Sequence, residues 1–248
     1  MSGSGDAPAR TWRTVLQHIE QRLLDGELGP GDRLPSERDL AAELGVGRSS
    51  VREAIRVLEV MGLIRTATGS GPQSGAIVIA APGGGLSALL RLQVAAQGFP
   101  IADVVGTRLI LEQAVVAALA TGERDTAAAH RILDAMDADL GPADFLVLDA
   151  QLHLALAEAS GNTVVAAMMT GLRESIESYV LTGSTAIADW SGMADRLRAE
   201  HRDIVQAIEE GRAEDAAALV RDHITGYYAA TGSSLSTTQR VAAAGTHS

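Results

Sequence analysis

The stretch from Leu34 to Leu63, LPSERDLAAELGVGRSSVREAIRVLEVMGL, constrains the fold of this chain more than any other, because its turn chemistry and its helical periods agree residue by residue. Pro35 suits a helix entry, Ser36 can accept a hydrogen bond from a first-turn N–H, and Asp39 stands three residues on, as in a capping box. Leu40, Ala41 and Leu44 supply an inward face. Gly45 can take the left-handed conformation that closes a helix, with Val46 as its hydrophobic contact. A second helix is predicted from Gly47 to Ser50 onward to about Met61, with Val51, Ala54, Ile55, Leu58 and Met61 as one buried stripe. Arg48, Arg52 and Arg56 repeat every fourth residue on another face, each step advancing roughly 6 Å along the rod. Such a row can reach phosphates and, by bidentate pairing to guanine O6 and N7, base edges. On an arbitrary amphipathic helix the same row is a solvated face.

Taken whole, the stretch resembles the amino-terminal winged helix-turn-helix of the GntR transcription regulators, which carries a pattern like LPSER-LA-ELGVSR-TVREAI-LE-GLI. The resemblance implies that Arg38, Arg48 and Arg52 contact DNA, with Ser49 near the backbone. Gly47 departs from the usual Ser or Thr, and a glycine cap costs only a few tenths of a kcal/mol.

The rest of the chain is compatible with that reading. At 248 residues and 46% apolar content there is room for two domains, each with a core. The absence of cysteine excludes disulfides, thiolate metal sites and cysteine nucleophiles. No uninterrupted run of about 18 apolar residues occurs, and the amino terminus lacks a basic-then-apolar pattern, so a cytoplasmic location without membrane attachment is expected. The net charge of −11 is unevenly placed: residues 1–80 hold nine arginines against ten acids, residues 81–248 eleven against twenty-one. An acidic second half does not prevent a local basic face from binding DNA, and it limits non-specific attachment.

In chain order, residues 1–9 are expected to be a disordered tail and residues 10–80 the DNA-reading domain. Trp12, Val15, Leu16, Ile19 and Leu23 mark a first helix, with His18 at its surface. Leu63 to Thr66 and Ala76 to Ile79 read as the two strands of a wing around a Gly-rich tip. Residues 81–86, with Pro82 and Gly83 to Gly85, read as a flexible linker. Residues 87–230 show six or seven Ala-rich helices separated by Gly and Pro breaks, and residues 231–248 a fraying tail. The fold class is therefore mainly α: a winged helix-turn-helix with a small two-stranded wing, followed by an all-α antiparallel bundle.

Four residues concentrate the chemistry of the bundle. Asp149 and His153 lie four apart on one helix. His201 and His223 lie about equally far before and after the break at Gly211, so an antiparallel hairpin brings them to one level. One carboxylate and three imidazoles suit Zn²⁺, Ni²⁺ or Mn²⁺, although two histidines placed symmetrically about a turn also arise by chance. The segment from about residue 101 to 228 resembles the FCD ligand-binding domain of the FadR-like branch of the same family, many members of which bind a divalent metal through one Asp and three His. The resemblance implies Asp149, His153, His201 and His223 as ligands, Zn²⁺ first among the candidates, and leaves His130 and His247 outside the set. It also implies that Arg108, in an R-x-x-x-E pattern with Glu112, faces the cavity and pairs with an effector carboxylate, the competing account being an intrahelical Arg108–Glu112 pair.

The reading so reached is a homodimeric regulator, expected to be a repressor, on a pseudo-palindromic operator, controlled by a small organic acid. Its rivals are a pure metal sensor and a metal-dependent hydrolase. The hydrolase needs a general base beside the ion, and Glu158, five residues after His153, points elsewhere.

Overall fold

The computed structural model describes residues 7–67, 75–79, 83–123 and 125–231. The chain divides into two compact units, Met1–Leu86 and Ser87–Ser248. The first contains α1 (Ala7–Leu24), α2 (Glu37–Leu44), α3 (Arg48–Val60) and an antiparallel hairpin of β1 (Ile64–Ala67) and β2 (Gly75–Val78).

Local chemistry sets the helix ends as the sequence suggests. Ser36 caps α2 by accepting from the Asp39 N–H, and its hydroxyl donates to Asp39 Oδ2 at 2.6 Å. Gly45 closes α2 at φ 65°, a left-handed conformation that a side chain disfavours. Gly47 precedes α3 without a side-chain cap. Val15, Ile19, Leu40, Val51, Ala54 and Leu58 form the centre of the unit, together with Ile64 and Val78 from the hairpin. Full burial of each large aliphatic side chain contributes about 1.5–3 kcal/mol.

Several boundaries differ from expectation. α1 begins at Ala7, inside the stretch read as a tail, because Pro8 falls in its first turn, where a missing N–H is harmless. Met61 is half exposed and lies beyond the buried stripe, since α3 has ended at Val60. The strands pair Ile64 with Val78 and Ala67 with Gly75, one residue later and one earlier than read. The wing tip at 68–74 and the expected tails at 1–6 and 232–248 lie outside the described residues.

α4 (Gly83–Ala95) begins in the first unit and continues into the second, which is built on its later residues and on α5 (Ile101–Thr121), α6 (Ala127–Met136), α7 (Pro142–Ala159), α8 (Thr163–Ser184), α9 (Trp190–Glu209) and α10 (Ala213–Ala230). α4 starts within the expected linker: Gly83 to Gly85 are helical. Gly85 has a packing role there, because a β-carbon would collide with the Met61 carbonyl. Gly171 on α8 likewise lets α4 lie close, a β-carbon there meeting Leu90 Cδ1 at 2.7 Å.

α5 is the central helix, packed against α7, α8, α9 and α10. By length and composition alone it is apolar enough to cross a membrane. Here it is a core helix, burying Val104, Val105, Val115, Val116 and Leu119 along with the charged Arg108 and Glu112. Phe145, Leu152, Met169, Ile176, Leu197, Ile204 and Ile208 complete the core around it.

Candidate metal centre and nucleic-acid face

α7 carries Asp149 and His153 one turn apart, α9 carries His201, and α10 returns after Gly211 (φ 73°) to present His223. The three imidazoles are buried, at 3%, 0% and 4% exposure. Their Nε2 atoms converge: His153 to His223 is 3.3 Å, and His201 to His223 is 3.2 Å. Asp149 Oδ1 stands 3.1 Å from His201 Nε2, 3.6 Å from His223 Nε2 and 3.7 Å from His153 Nε2. Ligands about 2.1 Å from a common ion would stand about 3.0–3.4 Å apart in tetrahedral or octahedral geometry. Three of the separations lie in that range and the other two, 3.6 and 3.7 Å, exceed it slightly, so a small inward shift of Asp149 would suit a divalent cation.

Groups behind the ligands fix the tautomers. Glu112 Oε2 lies against His153 Nδ1, and Glu200 Oε2 sits 2.8 Å from His223 Nδ1. A carboxylate at Nδ1 holds the ring proton there and turns the Nε2 lone pair toward the centre, as in carboxylate–histidine–metal arrangements. His201 Nδ1 is buried and has no hydrogen-bond partner among the described residues. Burial alone would raise the Asp149 pKa, but hydrogen bonds from the three histidines hold it well below the usual carboxylate range. Burial, then the neighbouring His223, depresses His201 to about 4. For His223 burial acts downward too, yet Asp149 and Glu200 outweigh it and push it up to about 9. Left to themselves, the ligands therefore keep a proton on His223 that a cation would replace.

Arg108 and Glu112 form a buried pair, 5% and 3% exposed, with Arg108 Nε and Nη2 donating to Glu112 Oε1 at 3.0 and 2.7 Å. Glu112 thus connects Arg108 to His153, and the intrahelical pair is buried rather than solvated. Arg173 on α8 is a residue that the sequence reading missed. Its Nη2 donates to Asp149 Oδ2 at 3.0 Å, while its Nε and Nη1 are buried without a partner among the described residues. Burial, then the charge of Arg108, lowers the Arg173 pKa, against the opposing pull of Asp149 and Glu112. A cavity of about 200 Å³ adjoins these groups, and a smaller space of about 30 Å³ reaches Asp149, His153 and His223. Arg108, Leu146, Arg173 and Val180 line both. The arrangement can receive an anion at its positive end and an apolar body along Leu146, Ile176 and Val180.

No spacing rule identifies Arg173 or Glu200, since both reach the centre by crossing between helices. Glu200 directly precedes His201 but serves the histidine of the next helix. His130 pairs with Glu209 and stands outside the cluster. Glu158 is exposed. The carboxylates behind the ligands, Glu112 and Glu200, are both committed to imidazoles, so among the described residues neither stands free as a general base beside the centre.

In the first unit, Arg38, Arg48, Ser49 and Arg52 are all exposed on α2 and α3. Arg38 pairs at 3.4 Å with its neighbour Asp39. Arg52 is held by Glu37, a residue to which the sequence reading gave no role.

Two family models match the chain: "Bacterial regulatory proteins, gntR family" over residues 11–72, and "FCD domain" over residues 103–226. The HTH-type transcriptional regulator LutR of Bacillus subtilis (strain 168) is 32% identical over 220 residues, which cover 82% of this chain and 93% of LutR. The Glc operon transcriptional activator of Escherichia coli (strain K12) is 27% identical, covering 85% and 84%. The HTH-type transcriptional repressor NanR of Escherichia coli O127:H6 is 32% identical, covering 71% and 66%. Among solved structures, Streptococcus agalactiae GntR superposes with a TM-score of 0.55 at 22% identity, covering 87% of this chain and 98% of that one.

Proposed function

Because the chain belongs to the GntR family of bacterial regulatory proteins and carries an FCD domain, we propose that it is a cytoplasmic, homodimeric repressor whose operator affinity is set by a small carboxylate bound beside a divalent ion. The relatives named above are transcription regulators, not enzymes. Arg38, Arg48 and Arg52, with Ser49 at the backbone, would engage each half of a pseudo-palindromic operator, two-fold protein symmetry matching two half-sites.

Asp149, His153, His201 and His223 would hold the ion, with Zn²⁺ the best match to three imidazoles and one carboxylate. Bound there, the ion supplies Lewis-acidic positions for a carboxylate oxygen. Arg173 offers an N–H from an unpartnered edge, Nη1 or Nε, to the same carboxylate, and Arg108 adds charge from the cavity wall while remaining paired to Glu112. The observation that carries the reading is this buried guanidinium with donors to spare, next to four atoms that converge as a cation requires. An acid that binds one arrangement of the dimer better than another shifts DNA affinity by that difference, and repression is released when the DNA-bound arrangement is the weaker binder.

The test is an operator titration with chelated and metal-loaded protein, each with and without short carboxylic acids. Release of operator by acid only in the loaded protein supports the reading. Control by metal alone would make the protein a metal sensor, and indifference to both would overturn the regulatory role of this centre.

A further inference from the structure

The recognition face carries a carboxylate where nucleic-acid binding alone would disfavour one. Glu37 opens α2, and its position is fixed by the Ser36 cap just before it. Arg52 lies in the second turn of α3. Glu37 Oε2 accepts from Arg52 Nη2 at 3.0 Å and from Nε at 3.3 Å, and Oε1 stands 3.4 Å from the same Nε. Arg52 and Glu37 side chains remain 55% and 38% exposed, so the pair stands on the surface that the helix presents outward. Among the described residues Arg38, by contrast, pairs only with Asp39 beside it in sequence, and Arg48 has no ion pair.

The contact is specific to one edge of the guanidinium. A carboxylate across Nε and Nη2 leaves the end-on pair, Nη1 and the second Nη2 hydrogen, pointing away from Glu37. That end-on fork matches the N7 and O6 acceptors of guanine in the major groove. An exposed pair of this kind adds little to stability. Close to a duplex, the Glu37 charge also repels phosphates and weakens attachment to any sequence.

We propose that Glu37 is a positioning and specificity-determining residue: it holds Arg52 in a fixed end-on pose for one guanine and discourages that guanidinium from reaching phosphate. The inference rests on the reading of α3 as the DNA-contacting helix. Arg52 held in this way loses less rotamer freedom on binding, and discrimination at one base pair rises at the expense of non-specific affinity.

The test uses the full chain and a duplex obtained by selection from genomic DNA. Affinities are measured by fluorescence anisotropy at one salt concentration for that duplex, for all its single base-pair variants and for a scrambled duplex. The proteins are wild type, Glu37→Gln, Glu37→Asp, Arg52→Ala and Glu37→Gln/Arg52→Ala, each checked by thermal melting.

Glu37→Gln should bind the scrambled duplex a few-fold more tightly. It should lose about tenfold in discrimination at one base pair, the same one that Arg52→Ala relaxes, since a bidentate base contact is worth about that much. Glu37→Asp, which keeps the charge but shortens the reach, should retain the weak scrambled binding and lose part of the discrimination. In the Arg52→Ala background Glu37→Gln should leave the base-pair profile unchanged. The proposal is overturned by an unaltered profile in Glu37→Gln, by an equal change with and without Arg52, or by an Arg52→Ala variant that loses affinity uniformly on all duplexes. A wild-type chain with no preference for any duplex would instead remove the DNA-reading assignment itself, and this inference with it.

Discussion

Replacing Glu112 by glutamine separates what the buried ion pair does for folding from what it does for the metal centre. Glu112 accepts from Arg108 through one oxygen and faces His153 Nδ1 with the other. Burial would raise its pKa, but Arg108 and then His153 hold it far below the usual carboxylate value, so it is charged in the folded protein. A glutamine can accept from one of these partners, and its amide must then aim an N–H at the other, which is also a donor. Arg108 is left buried with its charge uncompensated. Breaking a buried pair in this way costs about 3–5 kcal/mol. For a chain of this size each kcal/mol moves Tm by about 2–4 °C, so calorimetry should register a fall of roughly 6–20 °C. Loss of the His153 Nδ1 acceptor should also weaken metal binding about 10–100-fold, read by competition with a chromogenic chelator. The variant Arg108→Met/Glu112→Leu should recover most of the stability, because two apolar residues leave no stranded charge, yet stay weak for metal. A double variant that regained stability and full metal affinity together would refute the link from Glu112 to His153.

Three further outcomes follow from the same geometry. Arg173→Lys keeps the charge but loses the planar fork, so the affinity for short carboxylates should fall about tenfold by calorimetric titration, with metal content unchanged. An unaltered acid affinity would remove Arg173 from the effector site. His201→Ala should strip most of the metal, as measured by atomic emission, and leave operator binding of the metal-free protein intact; full metal content would remove His201 from the ligand set.

The third outcome is a dependence on pH. Because the His223 pKa is raised to about 9 without a cation, its contribution to the stability of the chelated protein is complete below the ordinary 6.5 and is lost as pH rises through about 9. His201, lowered to about 4, acts in the opposite direction: its contribution is present above 6.5 and declines as pH falls toward 4. Metal uptake at pH 7.5 should therefore expel about one proton, seen as a buffer-dependent heat of binding, and a buffer-independent heat would contradict the assignment.

What the sequence discloses and what it hides divide along one line. Local chemistry was legible: Ser36 and Asp39 for a cap, Gly45 for a left-handed closure, and the spacing of His201 and His223 about Gly211 for a shared level. Those signals lie within one helix or one hairpin, where 3.6 residues per turn fixes the geometry. Arg173, Glu200 and the Glu37–Arg52 pair depend on how side chains meet across helices, and no period in the sequence encodes that. Gly83 to Gly85 show the converse error. A glycine run suggests flexibility, but Gly85 is required by the close approach of the Met61 carbonyl and belongs to a helix. The burial of Arg108 and Glu112 was hidden too, since an i, i+4 pair reads the same whether it lies in water or in a core.

The most direct measurement is operator affinity by anisotropy in four conditions: chelated or Zn²⁺-loaded, each with and without a saturating short carboxylic acid. The account predicts a sequence-selected duplex bound tightly in three of them and released at least tenfold only when ion and acid are present together. Equal affinity in all four, or an acid response that survives chelation, would contradict it.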